Sequence, residues 1–225
     1  MTSEPRRPGL LSLVERRPKL TLLIAVVVGL AATAIFQNLP KPGRKLALTP
    51  VVQAVLDDPG SPSAGRADAD VTIVVFTDYQ CPVCKTTAPA LQRLLAADKG
   101  VRVIFKDWPI LGEASTIAAR AALAADRQGM YLPFHSALMA TPSKLAPDHI
   151  GPLAATAGLN AGRLAADQTK HAAQIEAQLN RHATQAFSLG LRGTPSYLVG
   201  PYLIEGGLDD GRLADAVRRA RAAAP

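Results

Sequence analysis

The sequence predicts an α/β fold: a small central sheet with helices on its faces and a helical insertion, preceded by an apolar N-terminal segment. Three observations carry this. An apolar, β-branched run at residues 71–76 is followed by a helical stretch and a second apolar run at 101–105, which together make a βαβ unit. Residues 113–189 form an alanine-dense block, punctuated by Gly129, Pro142, Pro147, Gly151, Pro152 and Gly158, that reads as mainly helical. Two short apolar runs, 197–199 and 202–205, flank Gly200-Pro201 and read as a hairpin.

Each element has a local reason. Residues 71–76 are apolar at nearly every position, the pattern of a strand buried on both faces. Residues 82–97 place Leu91, Leu94 and Leu95 on one helix face. Pro82 suits the first helical position, where no N–H is needed. Pro89, inside the same helix, predicts a kink. Asp209 and Asp210 can cap a last helix over 212–223. Residues 50–56 suit a short helix, and the Asp57-to-Ser63 stretch has turn chemistry, so residues 40–65 read as a linker before a domain at 66–225. There is no internal repeat.

The net charge of +7 is unevenly placed. Residues 1–45 hold eight Lys/Arg and two Asp/Glu, whereas the rest hold 17 and 16. The globular part is nearly neutral, so no nucleic-acid partner is implied. The basic residues flank an uncharged stretch, 20–39, and a helix of that length rises about 30 Å, enough to cross a bilayer. Arg6, Arg7, Arg16, Arg17 and Lys19 precede it; Lys41, Arg44 and Lys45 follow it. That balance favours a cytoplasmic segment at 1–19 and a signal anchor at 20–39. The rival reading is a signal peptide cleaved after Ala32-Thr33-Ala34. Arg16-Arg17 is followed by Pro18-Lys19, which fits a twin-arginine signal poorly. Either way the domain is exported. An inner-membrane, single-pass protein with its domain in the periplasm is expected, or a soluble periplasmic form after cleavage.

Only two cysteines occur, in Cys81-Pro82-Val83-Cys84, where the first strand gives way to the helix. A chain this long needs no disulfide to hold its core, and a C-x-x-C disulfide closes too small a loop to stabilise much. Redox chemistry is the better reading. A thiolate is the attacking species. Cys81 precedes the helix, so the unpaired N–H groups of the first turn and the helix dipole favour negative charge on its sulfur. That lowers its pKa below the free value of about 8.5. Cys84, one turn on, is within reach and more buried. Cys81 is therefore expected to be the exposed, exchanging sulfur and Cys84 the resolving one. A structural zinc site wants four ligands, and two cysteines with the scattered His135, His149, His171 and His182 do not supply that spacing, so no metal is expected. The histidines read as surface or hydrogen-bonded structural residues. No cofactor is implied.

The stretch Phe76-Thr77-Asp78-Tyr79-Gln80-Cys81-Pro82-Val83-Cys84-Lys85 resembles the DsbA-like thiol:disulfide oxidoreductases of the thioredoxin fold. Gly193-Thr194-Pro195 before a strand is similar to the family's cis-proline loop, and the Trp108-to-Ser115 segment to the lead into its helical insertion. The resemblance covers roughly residues 51–223. It implies a thioredoxin-like sheet with an inserted helical subdomain at about 113–189, Cys81 as nucleophile with Cys84 as its partner, a cis Pro195 facing them, and a Thr194 backbone that pairs with the substrate peptide. It also implies cysteine-containing exported proteins as substrates and a membrane or periplasmic redox partner that resets the pair. Many relatives carry a buried Glu six residues before the first Cys; here that position is Val75. An oxidase is favoured. A reductase or isomerase of the same fold, or a non-enzymatic thioredoxin-fold binding module, such as a metal carrier using Cys81 and Cys84, are the alternatives.

Overall fold

The computed structural model describes residues 18–38, 43–142 and 144–223. The chain divides into two compact units, residues 1–41 and 42–225. In the first, helix α1 (Pro18–Asn38) exposes Leu20, Leu22, Ile24, Val26 and Leu30. Among the described residues no helix is long and apolar enough to cross a membrane; the continuous run of described side chains in α1 is Lys19–Leu30. The basic segment 1–17 and Lys41 lie outside the described residues.

Among the described residues the second unit is built on six strands: β1 (Arg44–Lys45), β2 (Ser63–Gly65), β3 (Val71–Thr77), β4 (Val101–Asp107), β5 (Ser196–Val199) and β6 (Tyr202–Glu205). Their order is β1-β6-β5-β3-β4-β2. Only β3 and β4 run parallel, in register from Val71↔Val101 to Thr77↔Asp107. The crossover between them is helix α3 (Pro82–Ala97), as a parallel pair requires. Helix α2 (Pro50–Leu56) lies ahead of β2 in the chain. The insertion after β4 comprises α4 (Glu113–Asp126), α5 (Tyr131–Ala140), a 3₁₀ turn (Pro147–His149), α6 (Ile150–Thr156), α7 (Ala161–Lys170) and α8 (Ala172–Ser188). Helix α9 (Asp210–Ala222) follows the hairpin, and the Asp209 side chain caps it by accepting from the Arg212 N–H at 2.8 Å.

Strand β3 is buried on both faces because successive side chains point to opposite sides. Ile73 and Val75 enter a large core with Phe105, Leu91 and the alanines of α4. Val74 and Phe76 enter a smaller one with Ile104, Trp108 and Leu198. Each such large side chain contributes about 1.5–3 kcal/mol by leaving water. The density of alanine in α4 serves this packing: Ala118, Ala119, Ala121, Ala122, Ala124 and Ala125 are all buried.

Two features depart from the sequence reading. Residues 43–65 are not a linker but part of the domain. Val52, Val55 and Leu56, at the i, i+3, i+4 spacing of one helix face, fill the smaller core. Strands β1 and β2 are two and three residues long and close the sheet's two edges. Neither carries an apolar alternation, so periodicity had nothing to report. Gly65 in β2 has φ 95°, and a Cβ there would fall 2.4 Å from the Val101 carbonyl oxygen, so only glycine fits this close approach.

The docked segment is held by buried charge. Lys106 of β4 is fully buried and paired with the Asp58 carboxylate; it also donates to Ser61 Oγ at 2.9 Å. Arg181 of α8 donates to Asp58 at 3.2 Å. Burial would raise the Asp58 pKa, but Lys106 and Arg181 hold it well below the usual carboxylate range. Burial pulls Lys106 down to about 8 against the upward pull of Asp58. With two cations on one carboxylate, the cluster is charged at neutral pH. His182 Nδ1 lies 3.1 Å from the Asp107 carbonyl and Nε2 2.9 Å from Ser61 Oγ. Nδ1 must donate to the carbonyl, so Nε2 accepts from the serine, and the ring is neutral; burial pushes its pKa to about 3. Lys106→Ala leaves the buried Asp58 charge with Arg181 as its one remaining paired cation among the described residues, beside the neutral donors Gly60 N–H and Gln185 Nε2. We expect a loss of about 3–5 kcal/mol, read as a lower urea midpoint at unchanged slope.

Candidate active site

The site sits where β3 ends and α3 begins. Cys81 is the N-cap of α3, with φ −73° and ψ 116°, and its Sγ accepts from the Cys84 N–H at 3.4 Å. Pro82 occupies the first helical position. The loop before Cys81 is pinned by one carboxylate. Asp78, 1% exposed, accepts from the Gln80 N–H at 2.7 Å, the Ser115 hydroxyl at 2.7 Å, and the N–H groups of Ile110 and Leu111 at 2.8 and 3.0 Å. The Cys81 N–H in turn donates to the Asp78 carbonyl at 3.1 Å. One side chain thus fixes the approach to Cys81, the loop after β4 and the start of α4. Gln80 ties the same loop to the insertion, bonding both the carbonyl and the N–H of Leu145 at 2.8 and 3.1 Å.

The hairpin supplies the opposite wall. The Thr194–Pro195 peptide bond is cis. The Thr194 carbonyl accepts from the Cys81 thiol at 3.3 Å, across 113 positions of sequence. The structure therefore brings Cys81, Cys84, Thr194 and Pro195 together. It corrects one expectation. Cys81 is not an open sulfur: it is 5% exposed against 2% for Cys84, because the Thr194 loop covers it. What separates the two sulfurs is electrostatics. Both are free thiols here. Interaction with the Cys84 thiol, then the Cys84 N–H, lowers the Cys81 pKa to about 6 against the cost of burial. Cys84 is pushed far up by its neighbour Cys81 and by burial. One proton shared by a close pair of thiols lies on the buried member, and the sulfur at the helix start carries the charge. Alkylation of the reduced protein by iodoacetamide should then modify Cys81 alone, with the rate rising through about pH 6. A midpoint near the free-thiol value of about 8.5 would show that the helix start does not stabilise the thiolate.

Sequence reasoning missed Asp78 as a hub. Its only signal was an acid directly after a buried strand. It read His135 as a surface or hydrogen-bonded structural residue and gave no role to Tyr79, Asp107 or Tyr131; all four lie buried beside the site.

A C-x-x-C at a helix start, beside the Thr194–Pro195 loop on a four-strand β3/β4/β5/β6 core, is the architecture of a thioredoxin-like domain with a cysteine pair at its site. The comparisons agree: residues 72–218 match the DSBA-like thioredoxin domain, and the chain belongs to that family. A thioredoxin-like oxidoreductase from Silicibacter pomeroyi is 41% identical, with a TM-score of 0.72 over 76% of this chain and 98% of that one. The Na(+)/H(+) antiporter NhaA 1 of Salinispora arenicola is 30% identical over 141 residues, 57% of this chain but 22% of the antiporter. The probable disulfide bond formation protein D of Bacillus cereus is 30% identical over 112 residues, 48% of each chain. The chain thus spans under half the length of these two curated relatives.

Proposed function

We propose that this protein is an exported oxidase that passes a disulfide from Cys81–Cys84 to cysteine-containing substrates. The observation that carries the reading is the Cys81 sulfur at the start of α3, under the Thr194 carbonyl, with Cys84 behind it. A substrate thiolate attacks Cys81 Sγ of the oxidised pair, Cys84 leaves as the thiolate, and a second substrate thiol releases the mixed disulfide. A stabilised Cys81 thiolate favours the reduced enzyme and makes its disulfide the stronger oxidant. When Cys81 is no longer a thiol, the Thr194 carbonyl loses its donor and becomes free to accept an N–H from an extended substrate peptide. Val83, Ile110 and Leu111 are exposed apolar residues, Val83 two positions after Cys81 and the other two bonded through their N–H groups to Asp78. Such a surface suits unfolded chains, whose apolar segments are still open. A membrane or periplasmic partner would reoxidise the pair.

Thiol titration of the full-length protein tests this. Two thiols are expected after reduction and none after equilibration with excess glutathione disulfide. A pair that stays reduced there sinks the oxidase reading.

We also propose that residues 20–39 tether the domain to the membrane. The uncharged stretch, its basic flanks and the exposed apolar side chains of α1 support this. Mass spectrometry of the N-terminus of the cell-derived protein decides it: a chain starting near Ile35 would mean cleavage and release.

A further inference from the structure

Disulfide exchange, as proposed above, makes a demand on Cys84 that the site just described does not meet. Each time the Cys81–Cys84 disulfide is reduced, Cys84 must gain a proton; each time it reforms, Cys84 must lose one. Cys84 is 2% exposed, and at the strand position beside it stands Val75. Between them is a cavity of about 20 Å³, room for one water. It is bordered by Cys84, Thr77, Val75, Tyr197, Pro195 and, from the insertion, His135.

His135 begins a buried chain of polar groups. Its Nδ1 lies 2.9 Å from the Tyr79 hydroxyl, the Tyr79 hydroxyl 3.4 Å from that of Tyr131, and the Tyr131 hydroxyl 2.9 Å from Asp107 Oδ1. All four side chains are buried, and Asp107 Oδ2 has no hydrogen-bond partner among the described residues. The polarity of the chain follows from its end. Tyr131 donates to the carboxylate, so Tyr79 must donate to Tyr131. Tyr79 has no second hydrogen, so His135 Nδ1–H donates to Tyr79. Burial keeps the imidazole neutral, so Nε2 is left as the acceptor.

We propose that His135, Tyr79, Tyr131 and Asp107 are a buried proton relay that serves Cys84 across this cavity. When a disulfide oxidises the reduced enzyme, the Cys81 thiolate attacks one of its sulfurs, a mixed disulfide forms and the other sulfur leaves as a thiolate. The Cys84 proton then passes through the cavity water to His135 Nε2. The Nδ1 proton moves to Tyr79, the Tyr79 proton to Tyr131, and the Tyr131 proton to Asp107. The Cys84 sulfur attacks Cys81 Sγ, and the second thiolate departs. Reduction runs the same path backwards. The histidine never becomes charged, which suits its burial; its pKa is pushed down to about 3. The proton rests on Asp107, whose pKa burial raises to about 7, with the Asp126 and Asp78 carboxylates adding to the rise. Unlike a carboxylate touching Cys84, this arrangement keeps the charge away from the apolar wall of the cavity.

The test separates the two steps of a single turnover. Reduced full-length protein is mixed with glutathione disulfide, quenched with acid, and the Cys81–glutathione mixed disulfide is followed by mass spectrometry. Asp107→Asn keeps an acceptor for Tyr131 but has no carboxylate to take the proton; Tyr79→Phe removes only the bridging hydroxyl. In both, formation of the mixed disulfide should stay within ~2-fold of wild type, while its resolution by Cys84 slows at least ~10-fold at about pH 7. The wild-type resolution rate should level off above about pH 7, where Asp107 is ionised; in the variants it should keep rising with hydroxide. Resolution within ~2-fold of wild type in Tyr79→Phe, with the same pH profile, would make the chain a structural tie between α5 and the sheet. Should Asp107→Asn not fold, a wild-type rate that climbs steadily from about pH 6 to 9 overturns the relay by itself. A wild type that forms no mixed disulfide overturns the exchange reading on which the relay rests, with a different signature.

Discussion

Cys81→Ser should leave no measurable disulfide exchange, whereas Cys84→Ser should hold substrates as mixed disulfides. The asymmetry follows from the chemistry of the pair. A serine hydroxyl at the start of α3 would meet the same N–H groups, but it does not ionise near neutral pH and forms no disulfide, so the loss is at least ~1000-fold, about 4 kcal/mol of barrier. Cys84→Ser keeps the Cys81 nucleophile and removes the sulfur that resolves the mixed disulfide. The variant should still capture a thiol-containing peptide activated as a disulfide, and the adduct should persist. Non-reducing gels and intact mass measure both. A Cys84→Ser enzyme that turns over as fast as wild type would show that an external thiol, not Cys84, completes the reaction.

Asp78→Ala should destabilise the fold by about 3 kcal/mol or more and slow exchange together. Four donors lose their acceptor at once: the N–H groups of Gln80, Ile110 and Leu111, and the Ser115 hydroxyl. An unsatisfied buried donor costs about 1–3 kcal/mol; the three loop N–H groups are partly exposed and recover some of this from water. The functional loss has a separate cause. With Asp78 gone, the turn that presents Cys81 is no longer tied to the loop after β4, and the sulfur's alignment under Thr194 is lost. Urea unfolding should give the lower midpoint, and iodoacetamide labelling of the remaining folded fraction should give a slower, more alkaline Cys81. Asp78→Asn is the milder case, because one amide oxygen still accepts while the NH₂ group faces donors. A full-strength Cys81 in folded Asp78→Ala would mean that the helix start alone, without the carboxylate, orients the thiolate.

The parts of this protein that the sequence made legible are those determined within a few residues. Strand β3 is apolar on both faces, Pro82 stands at the one helical position that needs no N–H, and Asp209 has a side chain that reaches the Arg212 N–H; each can be read in place. Helix α3 spans the residues expected of it, and the hairpin and last helix fall within two residues of their predicted starts. Cys81 and Cys84 are likewise a local pair, three positions apart. The Thr194–Pro195 loop came from resemblance alone, since nothing local in a Thr-Pro step says what it faces.

Tertiary structure decided the rest. Residues 43–65 looked like a linker because turn residues crowd Asp57 to Ser63, yet Asp58 and Ser61 are buried against Lys106, whose position on β4 only pairing with β3 determines. Cys81 looked exposed because the sequence shows what precedes a helix and not what lies over it. Asp78 joins groups more than thirty positions away, and the chain from His135 to Asp107 spans both the insertion and the sheet. Apolar periodicity is a property of one segment, so it survives in the sequence. The state of a buried polar group depends on which partner stands across from it, and that partner is chosen only when distant segments pack.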